Sequence, residues 1–116
     1  MPRRKLDPLP SAAFQILLAL AEGELHGYAI MRQVEEQSGG RMRLGPGTLY
    51  GSLQSLLEEN LIEEVPAGPN SGSADERRRY YRLTSGGRQS ARAEAERIAD
   101  LVRVARARRI LGRNYV

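Results

Sequence analysis

A chain of 116 residues, 41% of them hydrophobic, has the length of one domain and can bury roughly two-thirds of the surface its unfolded form would expose, so wholesale disorder is excluded. With no cysteine and one histidine, it also excludes disulfides, thiol nucleophiles, cysteine-based zinc sites and any site that needs two histidine ligands. The net charge of +4 conceals a segregation: residues 1–9 hold three basic and one acidic residue, residues 10–76 three and ten, and residues 77–116 twelve and three.

Pro10-Ser11 opens a helix, SAAFQILLALAEGE, in which Ser11, Gln15 and Glu22 are the only polar residues before Gly23. A helix apolar nearly all round needs cover on two sides, its own core and something else. The longest apolar run, Ile16 to Ala21, is far below the roughly 20 residues of a membrane span, so neither a transmembrane helix nor a signal peptide is expected, and the expected location is cytoplasmic. After Gly23, HGYAIMRQVEEQSGG places Ile30, Met31 and Val34 at helical spacing and stops at Gly39-Gly40, which predicts a second helix over about 27–38.

A third helix starts at Pro46, where proline suits the first position, and runs to about Asn60, with Leu49, Leu53, Leu56 and Leu57 on its buried face. LIEEV and RRRYYRLT read as two strands joined by the Gly, Pro, Ser and Asn-rich loop 66–76. Thr84-Ser85 then caps a long Ala/Arg helix over 86–113, in which Ala91, Ala95, Ile98, Val102 and Ala105 recur at coiled-coil intervals. The expected fold is therefore mainly α with a small β-hairpin: a winged helix-turn-helix over 10–84, a basic arm over 1–9 and a C-terminal dimerisation helix over 85–116.

Seventeen of the 18 basic residues are arginine, whose planar fork suits phosphate, and their place at the two ends of the chain points to an anionic partner there. Genome composition is the rival explanation of the C-terminal arginines. The pairs Glu35-Glu36, Glu58-Glu59 and Glu63-Glu64 are sequence neighbours that point apart, so none is a ready acid/base couple. GPGTLYG lacks the lysine followed by serine or threonine that a phosphate-cradling P-loop requires. No enzymatic activity, cofactor or metal is expected.

Three motifs in order, LHGYAI at 25–30, GPGTLYGSLQSLLEENLIE at 45–63 and RRRYYRLTSGGR at 77–88, resemble the PadR family of bacterial transcriptional regulators, and the similarity covers about 20–113. It implies a homodimer built through the C-terminal helix, double-stranded DNA as partner, repression at a palindromic operator, and release by a small aromatic or cationic effector. The chain departs from the family in having no basic residue on the third helix between Pro46 and Asn60. The rival class is a winged helix that binds another protein through that helix without sequence-specific DNA binding.

Opposite its leucines the third helix displays Gly47, Thr48, Gly51, Gln54, Ser55 and Glu58, with Tyr50 and Ser52 on the flanks. Hydroxyls suit phosphate or base edges, and Gln54 suits adenine. The alternative is a plain solvated face. The resemblance makes Tyr50 a phosphate contact. Arg77, Arg78 and Arg79 at the hairpin tip, with Tyr80 outward, are candidates for backbone or minor-groove contact. Arg3, Arg4 and Lys5 form a candidate arm, Tyr28 divides between packing and phosphate, and His26 reads as a turn or cap residue. Phe14, Leu17, Leu18, Ile98, Leu101, Val102 and Ala105 are the expected dimer or effector positions.

Overall fold

The structure is a computed structural model, which describes residue 6 and residues 8–66 and 79–115. Within these lie helix α1 (Ser11–Ala19), strand β1 (Leu25–His26), helices α2 (Gly27–Gln37) and α3 (Pro46–Glu58), strands β2 (Ile62–Val65) and β3 (Tyr80–Leu83), and helix α4 (Ser85–Ala107). Four helices thus accompany a three-stranded antiparallel sheet in the order β1-β3-β2. This is a mainly helical winged helix-turn-helix. The long helix ends six residues before the expected boundary because Arg109 turns left-handed at φ 63° and the following amides of Ile110 and Leu111 bond back to the Ala105 carbonyl.

Each helix end has a local cause. His26 caps α2, its Nδ1 accepting from the Ala29 amide at 3.2 Å, which is the structural role expected of it. Gly39 and Gly40 at φ 63° and 80° stop α2, and the Gly40 amide reaches the Glu35 carbonyl at 2.8 Å. A left-handed residue at a helix C-terminus satisfies carbonyls the helix leaves open. Asn60, at φ 59°, does the same for α3, with the Leu61 amide on the Leu56 carbonyl at 3.0 Å. Leu25 and His26 pair with Tyr81 and Tyr80, a third strand that two residues are too short to announce by alternation.

Ile16, Leu17, Ile30, Val34, Leu49 and Leu56 are completely buried where α1, α2 and α3 meet. Leu17 therefore belongs to the protomer's own core and not to a dimer face, which corrects the expectation for that residue. Its neighbour Leu18 points the other way and is 41% exposed. α4 joins this core only through its first turns, at Gly87, Ala91 and Glu94. Ala91 is buried within the protomer, whereas of the other expected seam positions Ala95 and Ile98 are exposed and Val102 and Ala105 half-buried; Leu101 and Val104, outside that seam, are exposed as well.

Glu94 is the one charged residue in this buried set. Arg97 donates to both of its carboxylate oxygens, from Nε at 3.1 Å and from Nη2 at 2.5 Å. The hydrogen bond from Arg97 holds the carboxyl below its usual pKa, burial opposes that, and the Arg97 charge and the Leu9 amide add to the lowering. A carboxylate with a lowered folded pKa stabilises above its unfolded value and loses that contribution as pH falls through the folded one. Glu94→Gln is expected to reduce the melting temperature at neutral pH by about 5 °C or less. The gap to the parent should close as pH drops below the ordinary value of 4.5, and a gap independent of pH would refute the assignment.

Candidate nucleic-acid interface

α3 buries Leu49, Leu53 and Leu56 against the core, and its helical period turns Gly47, Thr48, Gly51 and Gln54 outward, all of them exposed. Ser52 and Ser55 are half-buried. Together with Gly47, Thr48 and Gly51 they line one wall of a shallow groove of about 300 Å³, whose other wall is Leu6, Pro10 and Ala13. The serines therefore look toward the N-terminal segment, while Gln54 and Tyr50 point away from it and are open to a partner.

Tyr50 is 54% exposed, and its phenol leans across the start of α2. A Cβ at Gly27 would come within 2.7 Å of the Tyr50 Oη, so a glycine here leaves room for the hydroxyl end of the tyrosine. Tyr28, on the same turn, is exposed beneath the guanidinium of Arg32, whose Cζ is 6.0 Å from the ring centre. His26 and Tyr80 meet edge to face at 5.4 Å. Tyr50, Tyr28 and Tyr80, spread over 52 residues of sequence, are thus gathered around the N-terminal end of α2.

The wing carries its own charge pattern. Arg79 is exposed and Tyr80 half-buried, while Arg77 and Arg78 lie outside the described residues, as do Arg3, Arg4 and Lys5. Arg82 Nε donates to Glu63 Oε1 at 2.5 Å, and Arg79 Nε is 3.7 Å from Glu64 Oε1. Burial pushes the Tyr81 phenol up, Glu64 and Tyr50 raise it further and Arg79 opposes them, so these four groups share one electrostatic neighbourhood. Arg32 was absent from the sequence-derived candidates, and Glu63 and Glu64 entered there only as a carboxylate pair set aside for acid/base chemistry. The charge pairing depends on strand register, which the sequence does not display, whereas the exposed Arg32 four residues after Tyr28 was open to helical spacing.

Of the positions expected in a dimer or effector site, Leu18, Ile98 and Leu101 are exposed and Phe14, Val102 and Ala105 are half-buried. A second cleft of about 310 Å³ lies between Leu6, Leu9 and Leu61 and the α4 residues Gln89, Ser90, Ala93, Glu94 and Arg97. Neither cleft is lined by Phe14, Ile98 or Leu101, the positions expected around an effector. Among the described residues no group of His, Cys, Asp and Glu is arranged to hold a metal ion. No helix of the described residues is long and apolar enough to cross a membrane.

Residues 16–93 match the family model described as "Transcriptional regulator PadR-like family". A PadR family transcription regulator from Clostridium difficile R20291 has a similar structure, with a TM-score of 0.73, 26% identity, and coverage of 84% of this chain and 97% of that one. PadR of Bacillus subtilis, solved in complex with operator DNA, superimposes with a TM-score of 0.61 at 25% identity over 72% of this chain and 46% of that one. An uncharacterized 37.1 kDa protein in transposon TN4556 of Streptomyces fradiae is 40% identical over 90 residues. The match takes in 78% of this chain but spans only about a quarter, 24%, of that relative.

Proposed function

The chain belongs to the PadR-like family of transcriptional regulators, and from that premise we propose that it acts as a homodimeric repressor whose two α3 helices read the half-sites of a palindromic operator about one DNA turn apart. The observation that carries this reading is the exposed face of α3, where Thr48, Gly51 and Gln54 are turned outward and Tyr50 is held beside them on the turn into α2. A small uncharged face of this kind can enter a major groove closely, with Gln54 as the side chain suited to adenine. Tyr50, Tyr28 and the exposed Thr48 supply hydroxyls for the flanking phosphates. Since α3 brings no cation, the charge that attracts DNA must come from outside it.

Site selection on random duplexes, followed by titration over a salt series, tests the proposal. Binding to the selected duplex should weaken steeply as salt rises, because phosphate contacts release counterions. A partner found only among proteins, with little dependence on salt, would support the protein-binding alternative. Tyr50→Phe is expected to weaken all duplexes by about the same factor, because a phosphate contact carries no base information. Gln54→Ala should instead relax the preference at one base position by roughly 1–3 kcal/mol. Unchanged operator affinity in both variants would remove α3 from the interface.

A further inference from the structure

Glu63 and Arg82 are Cα partners across the β2–β3 ladder, and their side chains are in direct contact, Arg82 Nε donating to Glu63 Oε1 at 2.5 Å. Glu64 is the Cα partner of Tyr81 and pairs diagonally with Arg79 at 3.7 Å. Successive residues of a strand point to opposite faces, so the two ion pairs flank the wing on both sides. The glutamates remain open to water, with 48% of the Glu63 side chain and 45% of the Glu64 side chain exposed. Glu64 and Arg79 also lie within electrostatic reach of Tyr81, as does Tyr50 of α3. Both described arginines of the wing thus have a partly exposed carboxylate as partner, Arg82 in direct contact and Arg79 at longer range, one pair on each face of the hairpin.

We infer that Glu63 and Glu64 restrain the DNA affinity of the wing: each holds an arginine that would otherwise neutralise a phosphate, and each adds its own repulsion toward the backbone. The inference rests on the DNA-binding reading above. A phosphate must displace the carboxylate to reach Arg79 or Arg82, and the freed carboxylate then stands beside the phosphates. Each such contact therefore yields less net neutralisation than a free arginine would, which lowers affinity and makes it less sensitive to salt. Because phosphates carry no sequence information, the restraint acts on every duplex alike. It therefore lowers occupancy of operator and arbitrary DNA by the same factor.

The experiment compares Glu63→Gln, Glu64→Gln, Arg82→Gln and the Glu63→Gln/Arg82→Gln pair with the parent on a selected duplex and a random duplex of equal length, by fluorescence anisotropy between 50 and 200 mM salt, about the range in which phosphate contacts are most visible. Each glutamine in place of a glutamate is expected to tighten binding to both duplexes by about two- to fivefold, the scale of an exposed ion pair. The salt slope should steepen by up to about 0.9 for each phosphate newly neutralised. In the Arg82→Gln background the gain from Glu63→Gln should shrink markedly, because no arginine is left to release. Unchanged affinity overturns the inference, and weaker binding overturns it in favour of glutamates that orient the arginines for contact. A full gain without Arg82 also overturns it, leaving a general charge effect. If the parent binds duplex DNA with a steep salt slope and the variants match it, only this inference fails, whereas absence of binding to any duplex by parent and variants removes the DNA-binding reading as well.

Discussion

Gly87→Ala should destabilise the domain more than any other single methyl addition among the described glycines. A Cβ at this position would stand 1.9 Å from the Leu61 carbonyl oxygen, 2.9 Å from the Leu61 carbonyl carbon and 3.1 Å from Leu83 Cδ2. The obstacle is backbone that cannot step aside, since the Leu61 carbonyl also accepts from the Thr84 amide at 3.2 Å. Thr84 is fixed in turn by donating its Oγ1 hydrogen to the Asn60 carbonyl at 2.7 Å and accepting from the Gly87 amide at 2.9 Å. Separating α4 from this junction breaks the link between the end of α3 and the long C-terminal helix. The expected loss is about 3 kcal/mol, near the upper end for overpacking, and a fall in melting temperature of the order of 10 °C. Gly86→Ala is the internal control, because its Cβ would meet nothing closer than 3.7 Å. Equal melting temperatures for the two variants would refute the account.

The largest effect on DNA binding is expected from charge placed on the outer face of α4. Leu101 is 55% exposed, and Ile98 and Val104, three residues to either side of it, are exposed as well; large apolar side chains exposed together on one helix are candidates for an interaction surface. In the proposed dimer the partner's α4 and α1 cover it, with Phe14 and Leu18 supplying the second apolar surface. The double variant Ile98→Glu/Leu101→Glu should sediment as a folded monomer. Its affinity for a palindromic operator should drop by about 10²- to 10⁴-fold, because two linked half-sites act at a high effective concentration that separate domains lack. Affinity for a single half-site should hardly change. A dimer that persists in this variant would place the interface elsewhere.

Local patterns along the chain determine the helices and the order of the wing. Leu49, Leu53 and Leu56 recur at helical spacing and are buried, Pro46 starts α3 and the Gly39-Gly40 pair ends the loop-bound side of α2, because capping and periodicity depend only on near neighbours in sequence. The outward face of α3, Tyr50 and Gln54 included, follows from the same geometry. Periodicity, however, says which side of a helix is apolar and not what will cover it.

Tertiary packing made the remaining choices. Leu17 and Leu18 are adjacent leucines in an almost wholly apolar helix, and only the arrival of α2 and α3 on one side buries Leu17 and leaves Leu18 out. Ala91 and Glu94 face inward because the first turns of α4 are held against the core by the Thr84 junction and by Arg88, which donates to the Ala21 carbonyl at 3.0 Å. The two-residue strand β1 exists because β3 offers it an edge, and no pattern of two residues can carry that information. The pairing of Glu63 with Arg82 and of Glu64 with Arg79 joins residues 19 and 15 apart through strand register. Charge counting along the chain shows acidic and basic blocks; only the folded hairpin brings them into contact, because register is set by the packing of Ile62 and Tyr81 into the core and not by the charges themselves.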